Sequence, residues 1–286
     1  MPLTSVIIPA FQASSFIDRA VRSVLAQTVT DWEVVIASDD GVDYPRVLRE
    51  AGLTDDRVRG TSTGVVGGGP ARARNAALDA AEGRVVVTLD ADDTLAPEAL
   101  SRLVPRALEH GAACGRVRVV DHVTGEGLPS FDRPLSSGLI DLATILTSQI
   151  HSYASVVFDR RRVGARWPAS RERWEDVQFY VSCFDHVDAM YHDAEPLYVY
   201  HRRDGSICNR PETGHEYRDA AERLLARLEQ GDALGIRRDA VREVYRRFLR
   251  RALALEATFL ADRAEGRCGD YRDFVARRLP LFYQLD

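Results

Sequence analysis

Arg84-Val85-Val86-Val87-Thr88-Leu89-Asp90-Ala91-Asp92-Asp93 is the stretch that decides how the chain is read. The apolar, β-branched run Val85, Val86, Val87 and Leu89 has the composition of a buried strand. It ends in the carboxylates Asp90, Asp92 and Asp93. Pro97 follows and predicts the opening of a helix, so the carboxylates stand at the carboxyl end of a strand. That edge of an open α/β sheet is where ligands bind. Neighbouring carboxylates repel one another, and their pKa values rise unless a cation joins them. A divalent metal with hard oxygen ligands relieves the repulsion and can hold a diphosphate as well. The competing reading is a capping turn, with Asp92 or Asp93 as N-cap of the next helix. For this stretch in isolation, capping is the stronger reading.

Working outward, residues from Leu3 to about His110 alternate strand-like and helix-like segments. Ser5-Val6-Ile7-Ile8-Pro9 reads as a first strand, and Ser14 or Ser15 can cap a helix with apolar residues Phe16, Ala20, Val21, Val24 and Leu25. Trp32 to Ala37 is a second strand, ending in Ser38-Asp39-Asp40-Gly41, and Arg57 to Gly60 is a weak third. An alanine-rich helix from about Pro70 to Ala81 leads back to the Val85 strand. Such alternation predicts a parallel sheet covered by helices on both faces. Right-handed crossovers then bring Asp39, Asp40 and Asp90 to Asp93 to one edge. The glycine run Gly64-Val65-Val66-Gly67-Gly68-Gly69 lacks a phosphate-loop pattern and reads as a mobile loop beside the site.

Beyond His110 the pattern is less regular. Strands are expected over 112–120, 153–158 and 196–201, helices over 139–147 and from about Trp174, and a loop with a short hairpin over 121–137. From Glu212 onward the chain reads as helical. One of those helices carries Arg237, Arg238, Arg242, Arg246, Arg247, Arg250 and Arg251 outside its apolar stripe. A surface of that kind is usually solvated, and it also leaves open a peripheral contact with an anionic membrane.

Composition narrows the function classes. With 286 residues, 45% hydrophobic and 28% charged, the chain is an ordinary globular protein able to bury a large core. Its net charge of -5 gives no reason to expect a nucleic-acid partner. No apolar run is long enough to span a membrane and no signal peptide is evident, so a cytoplasmic protein is expected. The four cysteines, Cys114, Cys183, Cys208 and Cys268, are scattered and predict reduced thiols. All 38 basic residues are arginine. Without lysine, a Walker A loop, a pyridoxal Schiff base and lysine-based nucleotidyl transfer are disfavoured.

In order and spacing, four stretches resemble a family 2 glycosyltransferase of the GT-A fold. They are Ser5 to Phe11; Asp31 to Ile36 with Asp39-Asp40-Gly41; Ala73-Arg74-Asn75 through Gly83 to Leu89-Asp90-Ala91-Asp92-Asp93; and Glu175-Asp176. The resemblance implies an α/β GT-A fold: a mostly parallel central sheet flanked by helices, with a C-terminal helical extension. It divides the chain into a transferase domain over 1–210 and an extension over 211–286. The domain in turn has a nucleotide-sugar half (1–110) and an acceptor half (111–210).

The same resemblance implies an inverting transfer from a nucleoside-diphosphate sugar (UDP, GDP or dTDP) to a hydroxyl of a saccharide, lipid-linked or small-molecule acceptor, assisted by Mn²⁺ or Mg²⁺. Pro9, Phe11, Asp39, Asp40, Arg74, Asp90, Ala91 and Arg202 fall on the donor side, with Arg202 or Arg203 as a phosphate clamp. Asp92 and His201 are the implied metal ligands and Asp176 the catalytic base. Trp174, Glu175, His151 and Ser152 fall on the acceptor side, with Trp174 offering a face to a sugar ring. Val42 departs from the serine usual after Asp-Asp-Gly, which leaves open which carboxylate meets the base. A nucleotide-sugar-binding protein without transferase activity is the rival from another class. A nucleotidyltransferase is a weaker one, for want of a glycine loop after the first strand.

Overall fold

A strand buried on both faces needs apolar side chains in both directions, and Val85, Val86 and Val87 supply them, all at 2% exposure or less. Each such valine contributes about 1.5–3 kcal/mol relative to an exposed one. Their strand is the fourth of ten in one sheet. In this computed structural model the described residues are 2–130, 132–148, 155–168, 174–203, 213–268 and 274. In chain order the elements are β1 (Thr4–Ala10), α1 (Ile17–Leu25), β2 (Trp32–Ser38), α2 (Tyr44–Glu50), β3 (Val58–Ser62), α3 (Pro70–Ala80), β4 (Val85–Thr88), β5 (Thr94–Leu95) and α4 (Ala99–His110). Then come β6 (Ala112–Asp121), β7 (Gly127–Leu128), β8 (Gly138–Ile140), α5 (Leu142–Ser148), β9 (Val156–Asp159), α6 (Glu175–Cys183), β10 (Met190–Arg202), α7 (Thr213–Glu229) and α8 (Asp239–Ala264).

The strand order is β3-β2-β1-β4-β9-β6-β10-β5, with β7 beside β6 and β8 beside β10. The four strands from the amino-terminal half are parallel, as their βα alternation predicts. β9 enters antiparallel between β4 and β6, and β10 returns parallel to β6, so the sheet is mixed beyond β4. Alternate side chains feed two cores. Val6, Ile8, Val34, Ile36, Val85 and Val87 pack with α1, α2 and α4. Ile7, Val35, Ala37 and Val86 pack with α3, and this core runs on through α6 into α7 and α8.

At the amino edge, away from the strand ends that carry the aspartates, Gly83 lies so close to β1 that a Cβ would sit 2.6 Å from the Ser5 nitrogen. Its N–H donates to Ser5 Oγ at 2.8 Å, and buried Glu33 accepts from Ser5 Oγ, Arg59 Nε and the Glu82 N–H. These bonds lock the start of β4 against β1 and β2.

Several local expectations shift. The residue before α1 is Phe16, without a side-chain cap, so neither Ser14 nor Ser15 caps it. α4 begins at Ala99 after Glu98, which removes Asp92 and Asp93 as its N-cap and Pro97 as its first residue. The intervening Thr94 and Leu95 pair with β10 instead. No helix among the described residues is long and apolar enough to cross a membrane. These surface arginines are largely engaged inside the molecule: Arg237, Arg238, Arg242, Arg246 and Arg250 pair with Asp185, Asp188, Asp239, Glu243 and Glu229.

Candidate active site

The carboxyl end of β4 and the start of α6 meet around one guanidinium. Arg74, on the first half of α3, is 7% exposed and reaches Asp90 Oδ1 at 2.8 Å and Glu175 Oε1 at 3.4 Å. Burial works against its charge, but Asp90 and Glu175 outweigh that and hold it above its ordinary value. The next residue, Asn75, donates from Nδ2 to the Trp167 carbonyl at 2.9 Å and accepts the Trp167 N–H at 3.1 Å. The Ala73-Arg74-Asn75 stretch thus joins the end of β4, the start of α6 and the Trp167 segment with two adjacent side chains. Asn75 had no role assigned from sequence, because its partner is a backbone amide of a distant loop.

Glu175 and Asp176 open α6. Burial, then the Asp176 charge beside it, pushes Glu175 up to about 7, with Arg74 pulling the other way. Burial likewise raises Asp176, opposed by Arg74 and by the Val177 N–H that its Oδ1 accepts. The pair behaves as a coupled dyad in a poorly solvated corner. Glu175 therefore contacts Arg74, while Asp176 is partly exposed beside it.

The Asp-x-Asp-Asp turn divides by function. Asp90 takes Arg74, and its backbone N–H donates to Tyr198 Oη at 3.2 Å. Ala91 is buried in the core, so only its backbone is on offer to a ligand. Asp92 accepts Nε and Nη2 of Arg203 at 3.0 and 2.6 Å. Asp93 is 1% exposed and accepts from Tyr198 Oη at 2.7 Å and the His201 N–H at 2.8 Å. Burial, then repulsion from Asp92 and Asp90, raises it well above the usual range. Asp93 thus ties the turn to β10.

The cation on Asp92 is Arg203 and not Arg202, whose place in β10 is beside Asp121 of β6. The choice turns on where β10 ends, which side-chain periodicity alone does not fix. His201 lies on β10 with Nε2 3.1 Å from Thr94 Oγ1, and among the described residues its buried Nδ1 has no hydrogen-bond partner. Burial, then Arg19, lowers it to about 4, so the ring is neutral. Arg19 of α1 and His122 at the β6–β7 turn join this cluster unforeseen by sequence. Arg19 Nη2 donates to the Asp92 carbonyl at 2.7 Å and lies 3.0 Å from His122 Nδ1. Arg19 belongs to an ordinary amphipathic helix and carries no local signal.

Asp39 and Asp40 both tie loops. Asp40 accepts from Gln12 N, Tyr44 Oη, Val42 N and Ser38 Oγ, which fixes the loop holding Phe11. Burial opposes its charge, but these bonds hold it below the usual range. Asp39, 3% exposed, accepts from Thr63 Oγ1, Gly68 N and Gly69 N at 2.8–2.9 Å. The two amides just before α3, Gly68 and Gly69, are therefore taken by Asp39, which ties the glycine loop to the end of β2. Pro9 is half-buried at the end of β1 and Phe11 is 48% exposed at the mouth. Trp174 corrects its expected role: it is 8% exposed, with its ring against Phe248 and Tyr217, and presents no open face to a sugar. His151 and Ser152 lie outside the described residues.

Among the described residues no group of three His, Cys, Asp or Glu side chains can hold a metal ion. At the strand end Asp92 offers one hard carboxylate oxygen donor, paired here with Arg203, which is the donor type a divalent cation carried by a diphosphate would take. Neutral His201 is in the protonation state of a ligand.

A family model described as "Glycosyl transferase family 2" matches residues 5–158. The succinoglycan biosynthesis protein ExoO of Rhizobium meliloti (strain 1021) is 30% identical over 221 residues, which are 72% of this chain and 63% of that protein's length. The chain thus spans less than two thirds of that relative. Among solved structures, S. aureus TarS 1–349 in complex with UDP-GlcNAc has a TM-score of 0.63 at 18% identity, covering 90% of this chain and 72% of the other. Mannosyltransferase PcManGT from Pyrobaculum calidifontis, in complex with GDP-Man and Mn²⁺, has a TM-score of 0.58 at 17% identity, covering 100% of this chain and 81% of that one. At these identities the structural likeness shows the fold, a GT-A-type sheet flanked by helices.

Proposed function

The chain belongs to glycosyl transferase family 2 and is a glycosyltransferase, and from that premise we propose an inverting transfer from a nucleoside-diphosphate sugar with Asp176 as base. The observation that carries this reading is the Arg74 bridge, which puts the strand-end carboxylate Asp90 and the α6 pair Glu175–Asp176 in one site. The nucleoside lies along Pro9, Phe11 and the Asp39–Asp40 turn, with its ribose toward Asp90. The acceptor is a saccharide, lipid-linked or small-molecule hydroxyl.

Inversion needs a single displacement. Asp176 removes the acceptor hydroxyl's proton as the new bond to the anomeric carbon forms and the bond to the diphosphate breaks. A carboxylate raised by burial suits that task, since base strength near neutral pH is what proton removal requires. Glu175 takes the Arg74 charge, which leaves Asp176 free to accept the proton. Asp92 and, from β10, His201 would hold a divalent cation, which when bound supplies Lewis-acid stabilisation of the leaving diphosphate. Arg203, released from Asp92 as the donor enters, can turn to phosphate oxygens.

One experiment tests the reading. UDP, GDP and dTDP sugars are screened by thermal shift with and without Mn²⁺, and the sugar that stabilises the protein is used for turnover. Asp176→Asn is expected to lower transfer at least about 100-fold with donor binding within twofold. Asp92→Asn is expected to remove the Mn²⁺-dependent part of the shift. Wild-type turnover in the first variant excludes Asp176 as base, and an undiminished Mn²⁺ effect in the second excludes Asp92 as ligand.

A further inference from the structure

Helix α6 is gripped at both ends by the carboxy-terminal helices. At its start Trp174 adopts φ 75° and ψ 21°, the left-handed region. A bulky L-residue enters that region at a cost of about 1–3 kcal/mol and stays there only when its surroundings dictate it. Here the surroundings are aromatic. The Trp174 ring lies 5.1 Å from that of Phe248 on α8 at 52°, and 5.9 Å from that of Tyr217 on α7 at 62°. Among the described residues its indole N–H has no hydrogen-bond partner, and the ring is held by packing against these aromatics.

Just past the other end of α6, Asp185 accepts the backbone N–H groups of Arg237 and Arg238 at 2.6 and 2.8 Å. Arg238 Nη1 donates to the carbonyls of Phe184 and Val187. The spacings agree: Arg238 to Phe248 and Trp174 to Phe184 each cover about 15 Å of helical rise. The first turns of α8 thus reach from one end of α6 to the other.

The two residues after Trp174 are Glu175 and Asp176. A rotation about the Trp174 backbone swings the first turn of α6, and a displacement of about 1 Å at a reacting group costs on the order of 100-fold in rate. We propose that Trp174 is a positioning residue, held left-handed by Phe248 and Tyr217 so that the Asp176 carboxylate meets the acceptor hydroxyl. The helical extension is then part of the catalytic apparatus. This rests on Asp176 being the base.

The full chain carries the test, with Phe248→Ala, Phe248→Leu, Trp174→Gly and Trp174→Phe compared beside Asp176→Asn. Turnover is read as nucleoside-diphosphate release from the nucleotide sugar the wild type uses, and binding by calorimetry with the matching nucleoside diphosphate. Phe248→Ala and Trp174→Gly are expected to lower kcat about 10- to 100-fold with nucleotide affinity within twofold. Trp174→Phe, which keeps an aromatic ring, is expected to recover most of kcat. If Phe248→Ala does not fold, Phe248→Leu is expected to show the same split at smaller size. Wild-type kcat in both Phe248→Leu and Trp174→Gly overturns the proposal, as does a parallel loss of kcat and nucleotide affinity. An inactive Asp176→Asn beside a fully active Trp174→Gly refutes the positioning role alone, whereas an active Asp176→Asn refutes the base assignment itself.

Discussion

Burying a guanidinium is costly unless anions surround it, and Arg74 meets Asp90 on one side and Glu175 on the other. Its charge lowers the proton affinity of Glu175 and Asp176, against the burial that raises it. Removing the charge in Arg74→Met therefore leaves burial opposed only by backbone N–H groups such as that of Val177. The acid limb of the pH–rate profile is expected to move to higher pH by about one unit or more, with kcat reduced at neutral pH. Arg74→Lys restores the charge without the fork and is expected to sit between the two. The dyad also sets a stability trend. A carboxylate raised in the folded state binds more protons there than in the unfolded chain, so stability falls as pH rises from the ordinary range toward about 7 for Glu175. Activity climbs over the same interval, because the base works deprotonated.

Among elements, the glycine loop before α3 shows how a carboxylate can organise a backbone. Asp39 collects Thr63 Oγ1, Gly68 N and Gly69 N, and a Cβ on Gly68 would stand 2.9 Å from Asp39 Oδ1. Gly68→Ala therefore pushes the loop off its anchor. Donor affinity by calorimetry is expected to fall roughly tenfold, with Asp39→Asn giving a similar loss because an amide offers only one acceptor oxygen. Unchanged affinity in both would separate the loop from the nucleotide site. This element was legible in sequence as a loop beside the site, and β1, β2 and β4 were legible from short apolar runs whose partners are local βα units. What could not be read was which carboxylate the loop uses, since Thr63 and Asp39 meet only after the sheet forms.

For the whole molecule, the extension shares one hydrophobic core with α3 and α6, and Asp185 is its polar fastening. Burial opposes the Asp185 charge, but the Arg237 and Arg238 N–H groups hold its pKa below the usual value. Its contribution to stability is thus present above the ordinary carboxylate range and is lost as pH falls through the lowered value. Asp185→Ala orphans two helix-start donors and is expected to cost about 1–2 kcal/mol, lowering Tm by roughly 2–8 °C in a melting experiment. The strand-end carboxylates were legible because they close strands with strong local patterns. The burial of Trp174 and the choice of Arg203 over Arg202 beside Asp92 were not, because each setting depends on residues far along the chain, Phe248 for one and Asp92 for the other.

The reversed strand β9 has a consequence for how the chain is made. β4 pairs with β1 on one side at once, but its other edge waits for β9, where Val85 meets Asp159. Roughly seventy residues must be synthesised in between, which at typical rates takes roughly 4 to 14 s. During that interval Val85 to Thr88 is an open apolar edge of the kind that recruits stray strands. The nascent β3-β2-β1-β4 sheet is therefore most exposed to misassembly just before the strand that covers its open edge emerges.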